Sequence, residues 1–314
     1  MLVVDKPSGP TSHDIVAQAR RHFRTRRVGH AGTLDPMASG VLVLLLGEAT
    51  KLSDVATCND KTYRAELSFG RATDSHDAEG TTTEERPDSS SRIDAHALDV
   101  ALDLERGRAL QLPPAVSALK VAGQRAYRLA RAGVVPKLEP RPVTVHSLSL
   151  LSFGARHIEL ELLVGKGYYV RALVRDLSAA LGVPAHLSAL RRTRSGSFGL
   201  DEAHPWPPAG PCAPLSLREV LPRLVPTLRL NDAGVQRARH GQLLTEADFL
   251  DPPAGAHIVA DPAGLGVFAW TDAAGAPVAL GHRYLEGFRV RRGFSAEASL
   301  AEEAQRAGMS VTYV

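Results

Sequence analysis

Gly29-His30-Ala31-Gly32-Thr33-Leu34-Asp35-Pro36, followed by Met37-Ala38-Ser39-Gly40 and the apolar run Val41 to Leu46, is the stretch on which the reading of this chain turns. Pro36 disfavours the helical region for Asp35 and pushes it to extended backbone. Gly29 and Gly32 lack a Cβ, so another backbone or a ligand can come close. The Val41–Leu46 run reads as a buried strand. A constrained loop that feeds a core strand is a good mount for one reactive carboxylate. The octapeptide alone equally allows a tight turn with a solvated Asp.

The 314 residues allow one large domain plus a small one, and 44% hydrophobic residues suffice for a sizeable core. Lys and Arg (37) barely exceed Asp and Glu (34), so a net charge of +3 does not identify a nucleic-acid binder; local clustering must do so. Cys58 and Cys212 lie far apart and read as reduced structural thiols rather than a disulfide or a metal pair. No basic-plus-apolar leader opens the chain, and its apolar runs are too short to span a bilayer, which leads to the expectation of a soluble cytoplasmic protein.

Thr11-Ser12-His13-Asp14 has the form of a helix start. Ile15, Val16, Ala19 and Phe23 then recur at helical spacing, and Arg20, Arg21 and Arg24 gather opposite them. Residues 12–24 thus predict an amphipathic helix whose basic face is either solvated or turned toward phosphate. Alternation predicts strands at Tyr63–Phe69 and His157–Val164. Helical spacing predicts helices over residues 93–106 and Val170 to Leu181, the latter stopped by Gly182. Residues 80–92 read as an exposed loop. The prolines between 205 and 226 read as a linker around a short helical piece. Short strands with Gly turns follow at Ile258–Ala260, Val267–Trp270 and Val278–Leu280.

Gly29–Pro36 with Met37–Leu42 resembles the catalytic-loop signature of TruB-type tRNA pseudouridine synthases. Val4-Asp5-Lys6-Pro7-Ser8-Gly9-Pro10-Thr11-Ser12 resembles that family's N-terminal motif, and further blocks recur in the family's order over residues 3–200. The resemblance implies an α+β fold: a pseudouridine synthase catalytic domain with a mixed, mainly antiparallel sheet flanked by helices over residues 1–204, an RNA-clamping insertion at about 111–146, and a Pro-rich linker at 205–226. Residues 227–294, punctuated by Gly241, Gly264 and Gly281, resemble a small PUA-like RNA-binding β domain; residues 295–314 form a tail. The implied activity is isomerisation of a tRNA uridine, position 55 of the T loop, to pseudouridine. Such a protein acts on the T stem-loop with no obligatory protein partner and no membrane, as a monomer.

That reaction breaks a C1′–N1 bond and rejoins the uracil through C5. It involves no redox change and no net hydrolysis, so no cofactor and no metal are expected. Asp35 fits the role of nucleophile or anion. Attack on C1′, attack on C6 and removal of a ribose proton are all open, with the sugar favoured. Burial disfavours an ionised carboxylate and a nearby guanidinium favours it. Gly165-Lys166-Gly167-Tyr168-Tyr169-Val170-Arg171 resembles the block that supplies the guanidinium, which implies that Arg171 pairs with Asp35 and that Tyr169 packs beside it. The family usually has Ser at the position of Gly165 and Thr at that of Tyr168.

Lys61-Thr62-Tyr63-Arg64 resembles the strand that carries the family's active-site tyrosine, so Tyr63 joins Asp35 and Arg171 as a catalytic candidate; alternation also allows a plain core tyrosine. A T-loop uridine must be flipped out to be reached. His30 resembles the histidine that fills the vacated stack. It has no partner at metal-ligand spacing. Lys6, in the N-terminal motif, is expected to bind the RNA substrate, and Leu190 resembles the residue lining the uracil pocket. The blocks Gln111–Lys120 and Gly123–Arg131 resemble the RNA clamp, where Lys120 and Arg131 are expected to meet phosphates. Arg191, Arg192 and Arg194 add a second basic stripe suited to supporting the RNA backbone. Two other readings are a tRNA-folding protein with incidental catalysis and a guide-RNA-dependent synthase of the dyskerin type. A metal hydrolase is discounted by the missing ligand set.

Overall fold

The computed structural model describes residues 1–88, 93–115, 120–121, 124–125, 138–210, 212–251, 266–285 and 287–295. In chain order the first elements are β1 (Leu2–Lys6), α1 (Ser12–His22), β2 (Val28–His30), β3 (Ser39–Leu46), α2 (Ser53–Cys58) and β4 (Lys61–Phe69). Next come β5 (Arg71–Thr73), β6 (Thr82–Glu85), α3 (Ala95–Arg106), β7 (Leu110–Gln111), β8 (Lys120–Val121), β9 (Gln124–Arg125) and β10 (Arg141–Pro142). After them run β11 (Val145–Phe153), β12 (His157–Val164), α4 (Val170–Leu181), β13 (Ala185–Ser195), β14 (Phe198–Gly199) and β15 (His204–Pro205). The chain continues through α5 (Leu217–Leu224), β16 (Thr227–Arg229), α6 (Asp232–Arg239), β17 (Val267–Thr271), β18 (Pro277–Tyr284) and β19 (Gly287–Gly293).

The main sheet runs β11-β12-β4-β13-β3-β1-β15, with β14 on β13 and β2 on β3. It is mixed: β13–β3 and β1–β15 are parallel, and the other ladders are antiparallel. Its central strand β3 is apolar on both faces for a reason. Leu42 and Leu44 face a core shared with α1, α3 and α4, while Val41, Val43 and Leu45 face a second core shared with α5 and β17. A continuous apolar run is what a strand covered on both sides requires.

Local chemistry sets the helix ends. The Thr11 hydroxyl accepts from the Asp14 N–H while the Asp14 carboxylate accepts from Thr11, which closes a capping box on α1. Helix α4 stops at Gly182, whose φ of +64° puts it in the left-handed region that glycine tolerates.

The Pro-rich segment departs from the expected linker. Trp206 is buried and donates from Nε1 to Gln18, and Leu217, Val220, Leu221 and Leu224 of α5 are all buried. Each such side chain contributes roughly 1.5–3 kcal/mol of burial, so the segment packs as a wedge between the two sheets. Residues 82–85, expected in a loop, form exposed β6 paired with β5. The C-terminal sheet runs β16-β17-β18-β19 and includes α6 at its side, a helix that the alternation pattern did not announce. The strand expected at 258–260 lies outside the described residues.

Candidate active site

The loop from Ala31 to Ala38 leaves β2 and enters β3. It is pinned at several points: the Ser12 hydroxyl both donates to the Leu34 carbonyl and accepts from the Leu34 N–H, and the Ala31 N–H donates to Val43. Pro36 offers its carbonyl to the Gly9 N–H at 2.9 Å and to Lys6 Nζ at 3.2 Å. Asp35 is thereby held just ahead of the central strand β3 with its side chain 34% exposed.

Arg171 approaches from the first turn of α4, after the turn Gly165–Tyr169. Its Nε donates to Asp35 Oδ2 at 2.8 Å and its Nη2 to Oδ1 at 3.1 Å. This bidentate pair joins residues 136 apart in sequence and fixes the plane of the carboxylate. Arg171 Nη1 donates to the Ser75 carbonyl at 3.2 Å, and Asp77 Oδ2 stands 3.6 Å from Nε. Asp77 is buried and accepts from the Ser75 hydroxyl and the Glu79 N–H. The turn at 74–77 is thus the second wall around Arg171. A signal that could have found it is the pair of carboxylates three residues apart, Asp74 and Asp77. Burial, with Asp77 and Asp35 nearby, pushes the Glu79 carboxyl above its ordinary range.

Tyr169 caps α4, and its backbone N–H and carbonyl are both held by the side chain of buried Gln111 at 2.9 and 3.2 Å. The position where the family usually has Thr is Tyr168, which is buried and donates its hydroxyl to Glu105 Oε1 at 2.8 Å. Burial pushes its ionisation well up. Gly165 packs against Thr144. Tyr63 sits on β4 opposite Arg192 and packs half-buried at the rim of the core, and its hydroxyl makes no hydrogen bond among the described residues. Leu190, two positions before Arg192 on β13, is buried in the same core.

His30 ends β2, edge-on to His13 with ring centroids 5.6 Å apart. Its Nδ1 is buried without a partner among the described residues. Burial, then His13 and then Arg192, lower its pKa to about 4. The ring is neutral at physiological pH.

Lys6 departs from expectation. It is fully buried and donates to the Pro7 and Pro36 carbonyls, so it holds the Asp35 loop rather than reaching toward RNA. Burial draws its ammonium down to about 8. Lys120 lies on the β8–β9 hairpin, whose backbone alone is described, and Arg131 lies outside the described residues. Among the described residues no cluster of His, Cys, Asp or Glu could hold a metal ion. No helix among them is long and apolar enough to cross a membrane.

The profile of the TruB family pseudouridylate synthase N-terminal domain matches residues 20–170, and that of the tRNA pseudouridylate synthase B C-terminal domain matches residues 171–206. The chain is 48% identical over 207 residues to tRNA pseudouridine synthase B of Mycobacterium tuberculosis strain H37Rv, covering 65% of this chain and 69% of the relative. It is 44% identical over 253 residues to the protein of the same name from Mycobacterium sp. strain KMS, covering 79% and 84%. Among solved structures, a Cbf5–Nop10–Gar1 complex superposes with a TM-score of 0.67 at 25% identity, covering 93% of this chain and 84% of the other. An H/ACA RNP bound to a substrate RNA containing 2′-deoxyuridine superposes with a TM-score of 0.66 at 23% identity, covering 95% and 86%; at that identity the likeness is one of fold.

Proposed function

Because the chain belongs to the TruB family of pseudouridylate synthases, we propose that it isomerises uridine to pseudouridine in tRNA, at position 55 of the T loop. The observation that carries the reading is the Asp35–Arg171 pair: an oriented carboxylate, partly open to solvent, backed by a buried guanidinium. Arg171 occupies one lone pair on each carboxylate oxygen, and the outward lone pairs are left for substrate.

The target nucleotide is flipped from the loop, and neutral His30 enters the space it leaves. Asp35 acts at the sugar, by attack at C1′ or by removal of a ribose proton. The C1′–N1 bond breaks, the uracil turns, and C5 bonds to C1′. The C5 proton is lost and N1 gains one, so the product is an isomer of the substrate. Tyr63 supplies an aromatic ring and hydroxyl against the base, with Leu190 and Tyr169 lining the pocket. Lys120 and Arg131 of the insertion clamp the RNA phosphates. The C-terminal β module acts as a PUA-like RNA-binding domain, and the protein works in the cytoplasm without a guide RNA or protein partner.

Tritium release from C5-labelled uridine in a T-arm stem-loop, with bare transcript and no added factor, tests the reading. Asp35→Asn is expected to fold and bind tRNA but to release no tritium above background. Release at the wild-type rate by this variant overturns the assignment. A wild type that needs a guide RNA to act moves the protein to the dyskerin type.

A further inference from the structure

Arg191-Arg192-Thr193-Arg194 reads in sequence as one basic stripe, but the pleat of β13, together with a register shift between Arg192 and Arg194, divides it. Arg191 reaches outward to Asp5 at 2.6 Å, and Arg194 is exposed. Arg192 points inward and is 1% exposed. Among the described residues no carboxylate lies within ion-pairing distance of it. Its guanidinium is spent on backbone carbonyls instead: Nε donates to Val41 at 2.7 Å, Nη2 to Gly32 at 3.1 Å and Nη1 to Thr33 at 3.5 Å.

Val41 belongs to the core strand β3, whereas Gly32 and Thr33 belong to the loop three and two residues ahead of Asp35. The fork therefore ties the loop to the sheet. The backbone of Arg192 is itself held hard against β3, because a Cβ on Gly40 would lie only 2.1 Å from the Arg192 carbonyl oxygen. An uncompensated buried cation is costly, and a long apolar side chain would fill the same space more cheaply. What the apolar chain lacks is a planar set of donors able to fix several carbonyls at once.

We infer that Arg192 is a positioning residue for the isomerisation: it sets the backbone at Gly32 and Thr33, and through them the place of the Asp35 carboxylate, without touching RNA. Arg171 orients the carboxylate from the front and Arg192 fixes the loop from behind. The inference rests on the proposed activity for its kinetic readout, but its exchange readout does not.

The test compares Arg192→Lys and Arg192→Met with Leu160→Ala, a core variant on β12, each characterised by thermal melting. A lysine keeps the charge but cannot span three carbonyls in a plane. For Arg192→Lys, kcat on tRNA is expected to fall on the order of 10²-fold, with KM within about twofold of wild type, as a small misplacement of a reacting group produces. Arg192→Met is expected to fall further. Hydrogen exchange should quicken at residues 31–38 and stay unchanged in β12. The proposal is overturned if kcat of Arg192→Lys stays within twofold of wild type, if Leu160→Ala of equal melting temperature loses as much kcat, or if exchange quickens uniformly. Failure of both Arg192 variants to fold assigns the residue to the fold and also overturns it. An inactive wild type sinks the functional reading, and loop exchange then judges Arg192 alone.

Discussion

The two sheets treat charge in opposite ways. The nine-stranded sheet takes cations inside: Lys6, Lys61, Arg171 and Arg192 are all buried. The four-stranded sheet closes over Trp270, Phe268, Phe249 and Phe288, and its buried carboxylate Asp248 caps its own turn through the Thr245 N–H and hydroxyl and meets the half-exposed Arg237 at 3.4 Å. Buried charge is expensive unless it is hydrogen-bonded, so its location marks where precision is worth a loss of stability. In the large sheet three of these cations end on carbonyls or the carboxylate of the Asp35 loop, and Lys61 ends on the Thr57 and Asn59 carbonyls behind it. Among the described residues the small sheet shows no such loop, and its core is closed by aromatic rings.

That contrast can be broken most severely at Arg171. Arg171→Met leaves Asp35 and Asp77 facing each other across an uncharged chain. Turnover should fall by roughly 10²–10³-fold and stability by about 3 kcal/mol, as when one partner of a buried pair is removed. Tritium release and urea unfolding measure the two effects; a loss in stability with turnover preserved would separate the pair from the chemistry.

Gly281→Ala probes the other region. A Cβ there would sit 1.9 Å from the buried Trp270 ring. Overpacking of that kind costs about 1–3 kcal/mol. The Trp270 fluorescence transition should shift to lower temperature while turnover on a T-arm stem-loop stays within about twofold. An equal loss of turnover would mean that the small sheet steadies the loop.

Tyr168→Phe removes the hydroxyl that meets Glu105 and should cost roughly 1–2 kcal/mol in stability, with a smaller effect on turnover. The mildest effect is in pH. His30 binds a proton in the native state only near pH 4 but at its ordinary value of 6.5 when unfolded. The unfolded chain therefore takes up more protons between those values, and stability falls as pH drops through that window. His76 and His186, also lowered by burial, add to the slope with the same sign. His30→Gln should flatten part of it in a series of urea melts; an unchanged slope would place His30 in solvent.

Elements with a strong local period were legible. Helix α4 shows its apolar stripe and its Gly182 stop, and β3 shows a continuous run because both of its faces are covered. The helical piece of α5 was legible, but its burial was not, because prolines at both flanks read as linker while burial of Leu217 and Val220 depends on what lies opposite. Helix α6 escaped because only Val235 and Ala238 mark its apolar side.

For the site, local chemistry in the chain specified the parts: a carboxylate between glycines and a proline, an arginine opening a helix, and a tyrosine on an alternating strand. Their pairing was expected from family resemblance, since nothing local links residues 136 apart. Only the tertiary structure decided which cations look outward and which turn in. Lys6 and Arg192 carry the same charge as Arg191 and Arg194 in sequence, but strand register, with its shift between Arg192 and Arg194, and loop carbonyls send the first two into the core and leave the others at the surface. The physical reason is that side-chain identity sets what a residue can bond, while burial and the nearest unsatisfied backbone group determine what it does bond.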